Sequence, residues 1–211
     1  MIFANRIEAG KLLAKRLHKL KLSKNTLIVG IPRGGMVVAR EVAQKLSLPL
    51  GVIVVKKLGA MHNPELAIGA VASHGEPVLD RWLIRDLGTP KDYIKKEILK
   101  KRKEAKSREK LLGIDDKAEI FRGRDVVVID DGLATGQTAR AAAKILRQLG
   151  AKTLILAVPA CFPSTLESVE GDFDQVLCLE MSPDFEAVGQ FYRDFRPVSD
   201  EEVKQLLATS H

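Results

Sequence analysis

The stretch Asp125–Thr138, DVVVIDDGLATGQT, constrains this chain more than any other. Val126 to Ile129 form an unbroken apolar, β-branched run, the pattern of a strand covered on both faces, since a strand with one wet face would alternate. Two carboxylates, Asp130 and Asp131, follow at once, and then a loop of small residues and hydroxyls from Gly132 to Thr138. Thr138 to Leu149 carries helix formers and ends on Gly150, a helix C-cap signal. The stretch therefore predicts a strand, a small-residue loop and a helix.

Such a loop has a definite chemistry. Backbone N–H groups at the helix start, left open by Ala134 and Gly136 and joined by the hydroxyls of Thr135 and Thr138, form a cradle for a phosphate. Asp130 and Asp131 stand beside it at the carboxyl end of the strand, where acidic residues accept hydrogen bonds from vicinal sugar hydroxyls. A phosphate next to a diol describes a ribose 5-phosphate. A P-loop would need Lys and then Ser or Thr after its second glycine, whereas Gly136 is followed by Gln137 and Thr138.

Earlier in the chain the same logic repeats. Ala9 to Lys21 places Leu12, Leu13, Leu17 and Leu20 on one face of an amphipathic helix. Thr26 to Ile31 is an apolar strand running into Pro32-Arg33-Gly34-Gly35, and Met36 to Leu46 reads as a helix. The glycine pair allows close backbone approach and Arg33 adds a cation suited to bidentate phosphate contact; a plain turn with a surface arginine explains the same residues. Leu50 to Val55, Thr153 to Val158 and Val176 to Leu179 are further strands. Strands alternating with helices predict a doubly wound α/β fold with a mainly parallel sheet, and right-handed crossovers bring both loops to one sheet edge. The 211 residues suffice for one sizeable core with an appendage. The chain is read as a single domain over 1–211 with 58–119 as an inserted flap.

The run VVVIDDGLATGQT resembles the signature of the type I phosphoribosyltransferases. That resemblance implies a doubly wound phosphoribosyltransferase fold and transfer of ribose 5-phosphate from phosphoribosyl pyrophosphate (PRPP) to a nitrogen acceptor, with Mg²⁺ bound through PRPP. It assigns Ala134, Thr135, Gly136, Gln137 and Thr138 to the 5-phosphate, and Asp130 and Asp131 to the ribose hydroxyls. Arg33, Gly34 and Gly35 fall to the pyrophosphate, in a loop that in the family often contains a cis peptide. Arg33 joins Asp130 and Asp131 as a catalytic candidate. Lys56 or Lys57 would balance the charge of the pyrophosphate; both equally flank a strand as ordinary surface lysines. The family also has a mobile loop where Gly59 to Glu65 lies, which makes His62 and Glu65 candidates from a lid; each equally suits a structural loop residue. Members acting on 6-oxopurines carry an aspartate directly before the loop threonine. Here that residue is Ala134, as in the adenine-type loop, and no general base is assigned.

From Leu58 to Glu119 the pattern changes. Ala67 to Ala72 and Pro77 to Leu79 predict a hairpin, followed by Trp82 to Leu87, a basic helix, and Gly113 to Glu119. The formal charge is +7, and Lys95 to Lys110 holds nine Lys or Arg against three Glu, leaving about +1 elsewhere. Ile94, Ile98, Ala105 and Leu112 keep a narrow apolar stripe, with Glu97–Lys101 and Glu104–Arg108 spaced for ion pairs. The helix is either a solvated face or a surface for RNA or another polyanion. In the second case the chain would be a PRPP- or nucleotide-sensing regulator without turnover.

Pro159 to Pro163 leaves its strand at the ligand edge and is a candidate wall of an acceptor site. Phe191 and Tyr192, in the one aromatic concentration of a chain with 5% aromatics, would either stack on a nucleobase or serve core packing or a subunit contact. Ser199 to Leu207 reads as a closing helix with acids in its first turn. Cys161 and Cys178 fit no metal spacing and read as buried thiols of the reduced cytoplasm. Met1 to Gly10 lacks an apolar leader core and no run reaches membrane-spanning length, so neither export nor insertion is expected. The expected partners are PRPP and a small acceptor, with a homodimer left open.

Overall fold

The computed structural model describes residues 2–114 and 118–208. Residues 115–117, within the Gly113–Glu119 part of the insertion, and Met1 lie outside the described residues. Helix α1 (Arg6–His18) starts where Asn5 accepts a hydrogen bond from the Glu8 amide at 3.0 Å. Strand β1 (Thr26–Gly30) leads to α2 (Gly34–Leu46) and β2 (Leu50–Val52). Strands β3 (Lys56–Ala60), β4 (Asn63–Val71) and β5 (Val78–Leu79) come next, followed by α3 (Arg81–Asp86) and α4 (Lys91–Leu111). Then follow β6 (Asp125–Ile129), α5 (Gln137–Gln148), β7 (Thr153–Cys161), α6 (Pro163–Glu170), β8 (Gln175–Met181) and α7 (Asp200–Ala208).

Five strands form one parallel sheet in the order β2-β1-β6-β7-β8. Its central strand explains the unbroken apolar run. Val126 and Val128 face a core built with Ala142, Ile145 and Leu146 of α5, while Val127 and Ile129 face Leu13, Leu17, Val38 and Val42 of α1 and α2. Alternate residues thus point to opposite helical layers, and neither layer leaves a face for a polar side chain. The α/β class and the parallel sheet flanked by helices are as the strand-helix alternation predicts.

The insertion departs from the expected boundaries. The third strand ends at Val52 rather than Val55, and Lys56 and Lys57 open β3 of a second, antiparallel sheet in the order β3-β4-β5. The stretch expected to be a turn-rich loop is largely strand, because the register shifts around Gly59 let β3 and β4 close tightly; a Cβ on Gly59 would stand 2.7 Å from the Pro64 carbonyl. This sheet has a small core of its own, Leu58, Ile68 and Val71, covered by Ile94 of α4. Helix α4 buries Ala105, with Leu112 buried just beyond its end, against Met36, Val54 and Val203. Arg108 pairs with Asp200 of α7 at 2.7 Å rather than with Glu104, since the helix lies against α7 on that flank; Glu104 pairs with Lys101 instead, at 3.1 Å.

Strand β7 runs through Pro159 to Cys161 instead of ending before it. Its ladder with β6 stops at Ile129 and Ala157, so the missing N–H of Pro159 lies beyond that pairing. Cys161 is buried and Cys178 half-buried, both as free thiols. Among the described residues no helix is long and apolar enough to cross a membrane.

Candidate active site at the junction of two loops

The pairing of Gly30 with Ile129 puts the carboxyl ends of β1 and β6 side by side, so the loops that follow them must meet. After β1 the chain makes a cis peptide between Pro32 and Arg33, and α2 begins immediately at Gly34. After β6 come Asp130 and Asp131, with the Asp131 amide donating to Asp130 Oδ1 at 2.9 Å. Only glycines fit at the contact. A Cβ on Gly34 would overlap Asp131 Oδ2 and lie 2.8 Å from Arg6 Nε, and one on Gly35 would lie 2.9 Å from both Asp130 Cα and the Ile129 carbonyl oxygen. The structure thus brings the glycine pair and the acidic pair into direct contact. Arg33 beside them is exposed.

The loop continues over the sheet edge. Leu133 donates its amide to the Ala160 carbonyl at 2.9 Å, and the Thr165 hydroxyl donates to the Ala134 carbonyl at 2.8 Å, which ties the turn to β7 and α6. Gly136 holds φ at 67°, a conformation that favours glycine, and directly precedes α5. With no side chain there to cap it, the first turn of α5 leaves its amides open, flanked by exposed Ala134, Thr135 and Gln137 and half-buried Thr138.

Gln137 and Thr138 also line a cleft of about 470 Å³ that separates α5 from the inserted sheet, with Lys57, Gly69, Arg81 and Lys144 on its walls. Lys57 is exposed and faces this cleft, whereas Lys56 is half-buried and lies outside its lining. A larger cleft of about 670 Å³ runs past Pro77, Arg147 and Asp174 and is lined by none of the predicted site residues. His62 and Glu65 sit exposed at the far tip of the β3–β4 hairpin.

The electrostatics centre on the acidic pair. Asp131 is held by Arg6, whose Nε donates to Oδ2 at 2.7 Å, with both side chains largely buried. Burial pushes the Asp130 carboxyl well above the usual carboxylate range; the neighbouring Asp131 adds to that rise and Arg6 opposes it. The Tyr192 hydroxyl donates to the Asp131 carbonyl at 2.6 Å, and burial followed by the charge of Asp131 raises its pKa strongly.

Tyr192 is 6% and Phe191 5% exposed. Tyr192 is enclosed by Phe3 and Phe195, and Phe191 by Phe185, so a base could stack on either only by displacing these neighbours. Packing accounts for both rings. Arg6 is the site residue that the sequence motifs do not single out, although the pattern carries a sign of it: it shares the buried α1 stripe with Ala9, Leu13 and Leu17. Among the described residues no group of three or more His, Cys, Asp or Glu is arranged to hold a metal ion.

The phosphoribosyl transferase domain model matches residues 2–196. A provisionally named phosphoribosyl transferase of Mycobacterium tuberculosis is 40% identical over 219 residues, covering 100% of this chain and 47% of that protein. An adenine phosphoribosyltransferase of Mycobacterium avium is 33% identical over 132 residues, 63% of this chain and 54% of that protein. The chain spans about half the length of the curated relatives it matches. The crystal structure of a Thermus thermophilus protein, TT1426, superposes with a TM-score of 0.87 at 39% identity, covering 100% of this chain and 99% of that one.

Proposed function

Because the chain belongs to the phosphoribosyl transferase domain family, we propose that it is a pentosyltransferase that moves the 5-phosphoribosyl group of PRPP to a nitrogen of a nucleobase in the cytoplasm and releases pyrophosphate. The observation that carries this reading is the contact of Gly34 and Gly35 with Asp131 and Asp130, which joins an anion loop, a diol acceptor and an open helix start at one sheet edge. In the transfer the C1–O bond to pyrophosphate breaks, a C1–N bond forms, and the acceptor nitrogen gives up its proton to solvent. C1 becomes cationic on the way, while the leaving oxygens gain negative charge.

The residues divide that work. The amides and hydroxyls from Thr135 to Thr138 hold the 5-phosphate. Asp130 and Asp131 orient the ribose through its 2- and 3-hydroxyls. Arg33 and Lys57 stabilise the departing pyrophosphate. Mg²⁺ would arrive bound to PRPP and would supply charge neutralisation on the pyrophosphate, with the charge of Asp131 at this edge favourable to a hard cation. The β3–β4–β5 sheet with α3 and α4 serves as a flap that keeps water from the ribosyl centre. The nucleobase assignment draws support from the adenine phosphoribosyltransferase relative and from Ala134 preceding Thr135.

A second reading, a PRPP-sensing regulator that touches RNA, rests on α4. Glu97 and Glu104 are drawn to Lys101 at 4.0 and 3.1 Å, and Glu109 accepts from Ser73 at 2.7 Å. Lys95, Lys96, Lys100, Lys103 and Lys110 are left exposed.

Pyrophosphate release from PRPP and Mg²⁺, measured with purine and pyrimidine bases separately, decides between the two. Base-dependent release is expected. Retained PRPP binding with no release from any base would favour the regulator.

A further inference from the structure

Arg6 is a charged group that the proposed reaction does not use. Its place in the buried stripe of α1 would suit a leucine, since taking a guanidinium out of water is costly and a buried ion pair seldom adds stability over good apolar packing. Yet this side chain is engaged at three points. Nε donates to Asp131 Oδ2 at 2.7 Å, Nη1 donates to the Arg196 carbonyl at 2.9 Å, and the guanidinium lies 3.8 Å from the centroid of the Phe195 ring. Tyr192 anchors the backbone of the same aspartate through its hydroxyl, at 2.6 Å. These contacts fix Asp131 from its Oδ2 side and from its carbonyl.

We propose that Arg6 is a positioning residue for Asp131, holding Oδ2 so that Oδ1 is presented to a ribose hydroxyl, and that Phe195 and the Arg196 carbonyl hold Arg6 in turn. This rests on the assignment of the ribose to the acidic pair. The physical reason is orientational. Packing against Gly34 limits the Asp131 carboxylate without choosing which lone pair it offers, and a hydroxyl meets a correctly aimed lone pair only part of the time. One charge-assisted hydrogen bond to a single oxygen removes that freedom and leaves the other oxygen open. The ring over the guanidinium excludes water from the pair and keeps the arginine from swinging out.

A purely structural arginine, tying α1 to the 192–196 segment, would affect every ligand alike. A positioning arginine affects ribose far more than pyrophosphate, which carries no hydroxyl for Asp131 to hold. The test is calorimetric titration of PRPP with Mg²⁺ and, separately, of pyrophosphate with Mg²⁺. Arg6→Gln is expected to weaken PRPP about tenfold or more, the scale of one charge-assisted hydrogen bond, while pyrophosphate binding stays near wild type. Phe195→Leu, at a position 36% exposed and so tolerant of change, removes the cover and keeps the ion pair. It should weaken PRPP by about twofold to fivefold, and it carries the test if Arg6→Gln fails to fold.

Equal losses for both ligands, or unchanged PRPP affinity in both variants, would overturn the proposal while leaving the PRPP site standing. Failure of the wild-type protein to bind PRPP at all would overturn the ribose assignment and this inference with it.

Discussion

The two strand-loop-helix units that meet at the sheet edge differ in how far each helix is set back from its strand. After β1 only Ile31, Pro32 and Arg33 intervene before α2, whereas after β6 seven residues, Asp130 to Gly136, intervene before α5. The short loop drives the start of α2 against the neighbouring acidic pair, so its first residues must be glycine and its one free functional group is the exposed Arg33. The long loop carries two carboxylates at its start and sets an open helix terminus beyond them. Two copies of one local architecture thus acquire different chemistry from the length of the loop and the residues it carries.

The sharpest way to break that comparison is to fill the contact between the loops. Gly35→Val would push a side chain into the backbone of Asp130 and Ile129, neither of which has anywhere to go. We expect a loss of about 3 kcal/mol in urea unfolding, the upper range for overpacking a closed site. A loss below about 1 kcal/mol would mean that the loops are not locked together. Arg33→Gln probes the same unit without touching its packing. Stability should be unchanged and PRPP affinity should fall about tenfold, with unaltered affinity removing Arg33 from the site.

A smaller effect separates the two ends of β6. Hydrogen bonds from Thr153 and Ser23 hold Asp125 below the usual carboxylate range, whereas burial holds Asp130 well above it. The signs are opposite. Asp125 stabilises the fold above the normal carboxylate range and loses that contribution as pH falls through its lowered pKa. Asp130 favours the fold while protonated and weighs against it as pH rises from the normal range through its raised pKa. Asp130→Asn should therefore gain stability relative to wild type between acid and neutral pH, and Asp125→Asn should lose it. Parallel pH-stability profiles for wild type and Asp130→Asn would contradict this assignment.

Much of this arrangement is legible in the order of residues because it depends on local signals. The unbroken Val126–Ile129 run announces a strand covered on both sides, and the small residues after it announce a loop that must approach something closely. What escapes is decided by tertiary contact. Arg6 finds Asp131 across 125 positions, and no spacing rule links an arginine in the first helix to an acid after the central strand. Arg108 bonds to Asp200 rather than to Glu104 one helical turn away because α7 packs there. The burial of Phe191 and Tyr192 is likewise a property of the cluster they form with Phe3 and Ala160, since the same aromatic run would suit an open platform. The strand boundary falls at Val52 rather than Val55 because a second sheet, with its own small core, captures the residues that follow.

The measurement that bears most directly on the central claim is a calorimetric titration of PRPP and Mg²⁺ into the wild-type protein and into Asp130→Asn/Asp131→Asn, with the fold of each checked by circular dichroism. The account predicts saturable binding to the wild type, and loss of that binding in a folded double variant. Equal PRPP affinity in the two proteins would contradict it and remove the acidic pair from the ribose.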